Sequence, residues 1–256
     1  MQNKTVLITA GASGIGRVMA RHFDDLGAKV WITDIDKAAL ADCPDHWVKS
    51  CVDVTHDQQM SDVFQDIETA FGQLDILCAN AGTAGPTALL EEQPTQGFKD
   101  CLDVNIMGSF FAARGALPLM KKRGSGSIVF TSSTGGVFGF PYRTPYCASK
   151  WAVVGMMKTI AMEAGPFGVR ANVIAPGCVE GPRIDGVIAR EAAQKNTTPE
   201  AIKAAYEMGT SLRKFSTADD IAQMAVFLAS DNARMVSGQV ISVDGHTENP
   251  DPKFGM

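Results

Sequence analysis

Thr5-Val6-Leu7-Ile8-Thr9-Ala10-Gly11-Ala12-Ser13-Gly14-Ile15-Gly16 runs from a short apolar strand pattern into a helical one that continues to Leu26. A glycine-rich turn at such a junction lets backbone N–H groups approach a bound anion, and the helix N-terminus adds partial positive charge. Glycine serves there because a side chain blocks that approach. On the first strand of a βαβ unit, this is where a doubly wound sheet holds the pyrophosphate of a dinucleotide. The second strand pattern, Lys29–Thr33, ends in Asp34, eighteen residues past Gly16. A carboxylate at that point accepts hydrogen bonds from an adenosine ribose and repels a 2′-phosphate, which favours NAD over NADP. A helix N-cap or a solvated loop acid is the alternative use of Asp34.

Outward from this unit, short apolar runs at Trp47–Val52, Leu74–Ala79, Ser127–Thr131, Arg170–Ile174 and Gln239–Val243 read as strands. Helical periodicity fills the gaps, for example over Asp57–Phe71, Pro145–Ala164 and Ala218–Ala229. Strands alternating with helices predict one α/β domain over 1–256, a doubly wound Rossmann fold with a seven-stranded parallel sheet flanked by helices. Residues 181–215 break the rhythm with two helical patterns and no strand, and are expected to form a small helical lid over the substrate. A tail follows at 247–256.

The chain has 256 residues, 45 % of them apolar, enough for one sizeable core. Its net charge of −5 argues against nucleic acid or an anionic membrane as a partner, since both demand a concentrated basic surface. The longest uncharged stretch, Gly124 to Tyr142, carries five glycines and four serines and is no membrane span. The N-terminus lacks the apolar core and cleavage site of a signal peptide, so the expected location is cytoplasmic. Cysteines at 43, 51, 78, 101, 147 and 178 form no CxxC pair, and histidines at 22, 46, 56 and 246 are scattered. No metal site is expected, and the thiols are expected to be reduced and mostly buried.

Tyr146-Cys147-Ala148-Ser149-Lys150 puts a phenol and an ammonium four residues apart, on one face of a helix. A free tyrosine, with a pKa of about 10, is a poor base at neutral pH. A neighbouring cation favours the phenolate and turns the pair into an acid/base device for an alcohol or ketone. Thirteen residues upstream, Ser133 lies just past a strand end, where its hydroxyl can meet a substrate oxygen; Ser132 is the neighbouring alternative.

With these motifs in this order, the sequence resembles the short-chain dehydrogenase/reductase family over nearly its whole length. The family's TGxxxGxG stands here as Thr9–Gly16, with Ala10 in place of the first glycine. Its NNAG stands as Ala79-Asn80-Ala81-Gly82, and its PGxVxT as Pro176-Gly177-Cys178-Val179-Glu180-Gly181. The resemblance implies that Tyr146 is the general acid/base and that Lys150 favours its phenolate and holds the nicotinamide ribose. By the same resemblance Ser133 orients the substrate oxygen and Asn105, in Asp103-Val104-Asn105, completes the catalytic set. Contacts to NAD are implied for Gly11, Ser13, Gly14, Ile15, Gly16, Asp34, Asp53, Val54, Asn80, Ala81, Gly82, Pro176, Gly177 and Val179. A homotetramer is also implied.

For the substrate, a small secondary alcohol or ketone, anionic or polyhydroxylated, is expected. Arg183, just after the nicotinamide motif, is placed to meet an anionic group. Phe138, Phe140 and Tyr142 are candidates for the pocket wall. His246 replaces the second glycine of the family's usual DGG, and it or Phe254 is a candidate to reach a substrate. A 3-oxoacyl-carrier-protein-type reductase is the enzymatic alternative. A non-catalytic nicotinamide-binding scaffold or redox sensor is the other, and loss of Tyr146 or Lys150 would mark it.

Overall fold

Successive residues of a strand face opposite sides of a sheet, so a strand covered on both faces is apolar throughout. The first strand, β1 (Thr5–Thr9), shows this directly. Leu7 enters one core cluster, and Val6 and Ile8 enter the other. The computed structural model describes residues 1–250. Among them, β1 joins β2 (Lys29–Asp34), β3 (Val48–Cys51), β4 (Ile76–Ala79), β5 (Gly126–Thr131), β6 (Val169–Pro176) and β7 (Val240–Val243) in one sheet of order β3-β2-β1-β4-β5-β6-β7, in which its direct partners are β2 and β4. Every pairing is parallel.

Helices close both faces. Met19, Ala20 and Phe23 of α1 (Gly14–Asp25), Leu40 of the short α2 (Lys37–Ala41) and Ile221, Ala222, Ala225 and Leu228 of α9 (Ala218–Ala229) share one cluster. The opposite cluster takes Met60, Val63 and Ile67 of α3 (Asp57–Phe71), Ala112, Ala116 and Met120 of α5 (Gly108–Arg123), and Val153 and Met157 of α6 (Thr144–Ala164). Between α3 and α5 lies α4 (Thr95–Leu102). Each large aliphatic buried this way contributes about 1.5–3 kcal/mol. The two helices expected within 181–215 are present as α7 (Pro182–Gln194) and α8 (Pro199–Met208), which pack on each other through Ile188, Ala192 and Ile202.

The strand order reverses between β1 and β4, and the carboxyl ends there open a crevice. The chain's glycine turn sits at its mouth. Differences from the sequence expectation are confined to element ends and to surface thiols. Leu74 and Asp75 precede the assigned β4, although Asp75 still exchanges ladder-type bonds with Thr5 and Ser127, both 3.0 Å. Cys51 is exposed rather than buried. Residues 251–256 of the expected tail, Phe254 among them, lie outside the described residues. No helix among the described residues is long and apolar enough to cross a membrane.

Candidate active site

The turn after β1 has the left-handed backbone that glycine-rich anion loops use. Ala10 has φ 51° and Gly14 φ 50°. Ala10 thus takes up the conformation of the glycine it replaces. The N-cap of α1, Ser13, makes no side-chain capping bond, and the first turn holds no acid. Its N–H groups therefore stay available to an anion, and Ser13, Gly14 and Ile15 line the crevice. Gly11 and Gly16 serve packing beneath it. A Cβ on Gly11 would come within 2.6 Å of Ile32 Cγ2. One on Gly16 would overlap the Ala10 carbonyl oxygen and lie 2.7 Å from Asn80 Nδ2. Asn80 ties the strand ends together: its amide donates to the Thr9 and Ala10 carbonyls at 3.2 and 3.3 Å and accepts from Thr131 Oγ1 at 3.2 Å. Ala81, next to it, is buried.

At the end of β2, the Asp34 carboxylate accepts from the N–H of Ala12 and of Asp36, each at 3.1 Å. It braces the glycine turn, and the N-cap of α2 is Asp36 instead. After β3, Asp53 accepts from the Thr55 N–H and hydroxyl at 2.9 and 2.8 Å, and Val54 is buried against Gly108. Both follow the strand next to β2, on the side of the sheet away from β5.

The residues expected to carry acid/base chemistry lie at the other end. Pro145 in the first turn of α6 fixes its start and sets Tyr146, Ser149 and Lys150 in the opening turns. Lys150 is 3 % exposed, donates to the Thr131 carbonyl at 2.9 Å, and lies 5.8 Å from the Tyr146 ring centre. Burial, reinforced by the Arg183 guanidinium, pulls its pKa down to about 7. Asn105 is fully buried in a π-helical turn, Asp103–Met107, between α4 and α5. Such single π turns recur at functional sites. Here the Asn105 amide holds both polar atoms of the Thr83 backbone, at 2.7 and 3.1 Å, and donates to Ser149 Oγ at 2.8 Å. Gly82 admits this cluster: a Cβ there would sit 3.1 Å from both Lys150 Nζ and Asn105 Oδ1. The two serines divide their tasks. Ser132 Oγ is spent on the Lys150 carbonyl at 2.9 Å. Ser133 Oγ accepts from the Gly135 N–H at 3.0 Å, which leaves its own proton to donate.

A family model described as enoyl-(acyl carrier protein) reductase matches residues 9–246, from the glycine turn to the end of the sheet. The chain belongs to the short-chain dehydrogenase/reductase family. The 3-oxoacyl-[acyl-carrier-protein] reductase FabG of Thermotoga maritima is 34 % identical, over 96 % of this chain and 98 % of its own length. A carveol dehydrogenase from Mycobacterium avium, solved in complex with NAD, aligns with a TM-score of 0.90 at 28 % identity over 96 % of this chain and 98 % of that one. ElxO, solved with NADP bound, aligns with a TM-score of 0.84 at 30 % identity, covering 95 % and 98 %.

Part of the set of residues described above opens on one cleft of about 500 Å3; Gly11, Gly16, Asp34, Asp53, Val54, Ala81 and Asn105 are not among its lining residues. It is lined by Asn80, Gly82, Ser133, Tyr146 and Lys150, by Pro176, Gly177 and Val179 after β6, and by Arg183, Ile184 and Val187 of α7 and Tyr206 of α8. Phe138 is not among the lining residues. The loop past Ser133 turns through a short 3-10 helix, and Phe140 faces the cleft instead. His246 does not line it either. The left-handed Gly245–His246 turn, φ 68° and 64°, directs its ring to Ser211 Oγ at 2.6 Å, where it anchors the end of the lid. Arg143 was not singled out by sequence, yet it lines the cleft at 8 % exposure with its guanidinium 4.9 Å from the Tyr146 ring centre. An arginine three residues before the tyrosine, on the same side of the helix start, was the available signal.

Proposed function

We propose that the chain is an NAD-dependent oxidoreductase that interconverts a small secondary alcohol and its ketone. What supports the reading above all is the Lys150 ammonium, buried beside the Tyr146 ring in a cleft that also opens on the uncapped start of α1. The residues fit a dinucleotide. The free N–H groups of α1 would receive its pyrophosphate, and no atom lies within 4 Å of the Cβ direction of Gly14. Asp34 would hold the adenosine ribose, Asp53 and Val54 the adenine, and the Val179 backbone, after Pro176 and Gly177, the carboxamide. Bound there, the oxidised nicotinamide supplies the acceptor for the hydride that leaves the carbinol carbon.

In oxidation, Tyr146 takes the hydroxyl proton as the C–H electron pair departs, and the carbonyl forms. In reduction it returns that proton to the oxygen. Ser133 donates to the same oxygen and fixes its distance. In its protonated form Lys150 is the positive charge beside Tyr146, and Asn105 fixes the backbone at Thr83 on which this geometry rests. Positioning and proton transfer together are the protein's share of the catalysis.

Cofactor choice is the direct test. A carboxylate near a 2′-phosphate costs several kcal/mol in a protein-surface dielectric. NAD is expected to bind at least about tenfold tighter than NADP, and Asp34→Ser to narrow that gap by about tenfold or more. Paired titrations of NADH and NADPH fluorescence read both numbers, and tighter NADPH binding by the wild type would refute the NAD assignment. The similarity to FabG favours a second reading, reduction of a 3-oxoacyl thioester. Turnover of that thioester above every secondary alcohol would select it.

A further inference from the structure

We propose that Arg143 is the anchor for a carboxylate on the substrate, which makes the preferred substrate a short hydroxy acid or its oxo acid. The proposal rests on the alcohol–ketone reading above and names the substrate class of that same cleft. Arg143 stands immediately before α6, 8 % exposed, with its guanidinium stacked 4.9 Å from the Tyr146 ring centre. One terminal nitrogen donates to the Ala84 carbonyl at a long 3.3 Å. Its Nε is buried without a hydrogen-bond partner. Among the described residues no carboxylate forms an ion pair with it. A buried cation left this short of partners is costly, and an incoming anion removes that cost.

A structural arginine in the same molecule looks different. Arg170, partly buried on β6, spends its guanidinium on the carbonyls of Leu228, Ser230 and Val236, the first at 2.6 Å. Nearby acids do not serve Arg143. Glu191 is held by the Tyr206 hydroxyl and by Lys195, and Glu180, the acid that lines the cleft, is exposed. Arg183, in α7, adds a second guanidinium to the lining. Against one acid the lining therefore sets two arginines, Arg143 and Arg183, in a chain whose net charge is −5. The planar fork of arginine suits a carboxylate, which it binds through two parallel hydrogen bonds. Because that fork is stacked on the ring of the acid/base residue, it serves groups only a few atoms from the reacting carbon. A 2- or 3-hydroxy acid meets that spacing; a chain with a remote carboxylate does not.

The test compares short-chain 2- and 3-hydroxy acids with their methyl esters, using the full chain and NAD, in wild type, Arg143→Gln and Arg143→Lys. The wild type is expected to prefer each acid to its ester. In Arg143→Gln the acid-to-ester ratio of kcat/KM is expected to fall by about 10- to 100-fold, chiefly through KM, the range of a charge-assisted hydrogen bond. Arg143→Lys, which keeps the charge and loses the fork, restores only part of it. A merely structural Arg143 lowers acid and ester together and leaves the ratio where it was, which overturns the proposal. Should both variants unfold, the wild type decides alone: the oxo acid binds the protein–NADH complex at least about tenfold more tightly than its ester, and less tightly as salt rises. Equal affinity overturns the proposal. Neutral alcohols turned over as well as acids refute the anchor and keep the oxidoreductase reading. NADH binding without turnover of any alcohol or ketone refutes both.

Discussion

Tyr146→Phe is expected to lower kcat for the best alcohol by about 10²- to 10⁴-fold, the usual share of a positioned general acid/base. The substitution removes one oxygen. The ring keeps its neighbours, Arg143 at 4.9 Å and Lys150 at 5.8 Å, so packing at the head of α6 is kept. Gly135 also packs on the ring, because a Cβ there would lie 3.2 Å from it. The lesion is therefore chemical rather than structural. Steady-state NADH formation, run beside an NADH titration, separates the two: turnover collapses while cofactor affinity changes far less. A variant that retained more than about a tenth of wild-type kcat would put the proton transfer elsewhere.

Gly16→Ala is expected to damage stability and cofactor binding together. The added Cβ has no free volume, because it overlaps the Ala10 carbonyl oxygen and crowds Asn80 Nδ2 at 2.7 Å. The Ala10 carbonyl is backbone at φ 51° and already bonded to Asn80 at 3.3 Å, so it yields only if the whole turn moves. Overpacking of this kind costs about 1–3 kcal/mol or more. At about 2–4 °C per kcal/mol for a domain of this size, Tm falls by several degrees or more. The same shift displaces the first-turn N–H groups of α1, so NADH affinity is expected to drop by at least about tenfold. Gly14→Ala is the control. Nothing lies within 4 Å of its Cβ direction, and only the left-handed backbone at φ 50° is strained, worth about 1–2 kcal/mol. A Gly16→Ala protein as stable as Gly14→Ala, or one that bound NADH like the wild type, would contradict this account of the turn.

Much of the fold was legible because buried parallel strands write themselves as continuous apolar runs. Val6 and Ile8 face one cluster and Leu7 the other, so no polar alternation interrupts β1. Tyr146, Lys150, Ser133 and Asn105 were legible for a different reason. Their order and spacing match a family pattern, and they come from α6, the end of β5 and a π-helical turn, with Tyr146, Lys150 and Ser133 lining the cleft. Arg143 was not legible. Its burial depends on the Ala84 loop and on a lid that comes from residues far along the chain. His246 misled because a left-handed turn, invisible in composition, sends its ring to Ser211. Phe138 misled because a 3-10 turn, not an extended strand, follows Ser133 and decides which aromatic faces the cleft.

The most direct measurement is isotope transfer. Secondary alcohols carrying deuterium on the carbinol carbon, short hydroxy acids among them, are incubated with NAD and the protein, and the NADH is weighed by mass spectrometry. The account predicts NADH heavier by one deuterium, formed far more slowly by Tyr146→Phe. Tight NADH binding with no label transferred from any alcohol would contradict it.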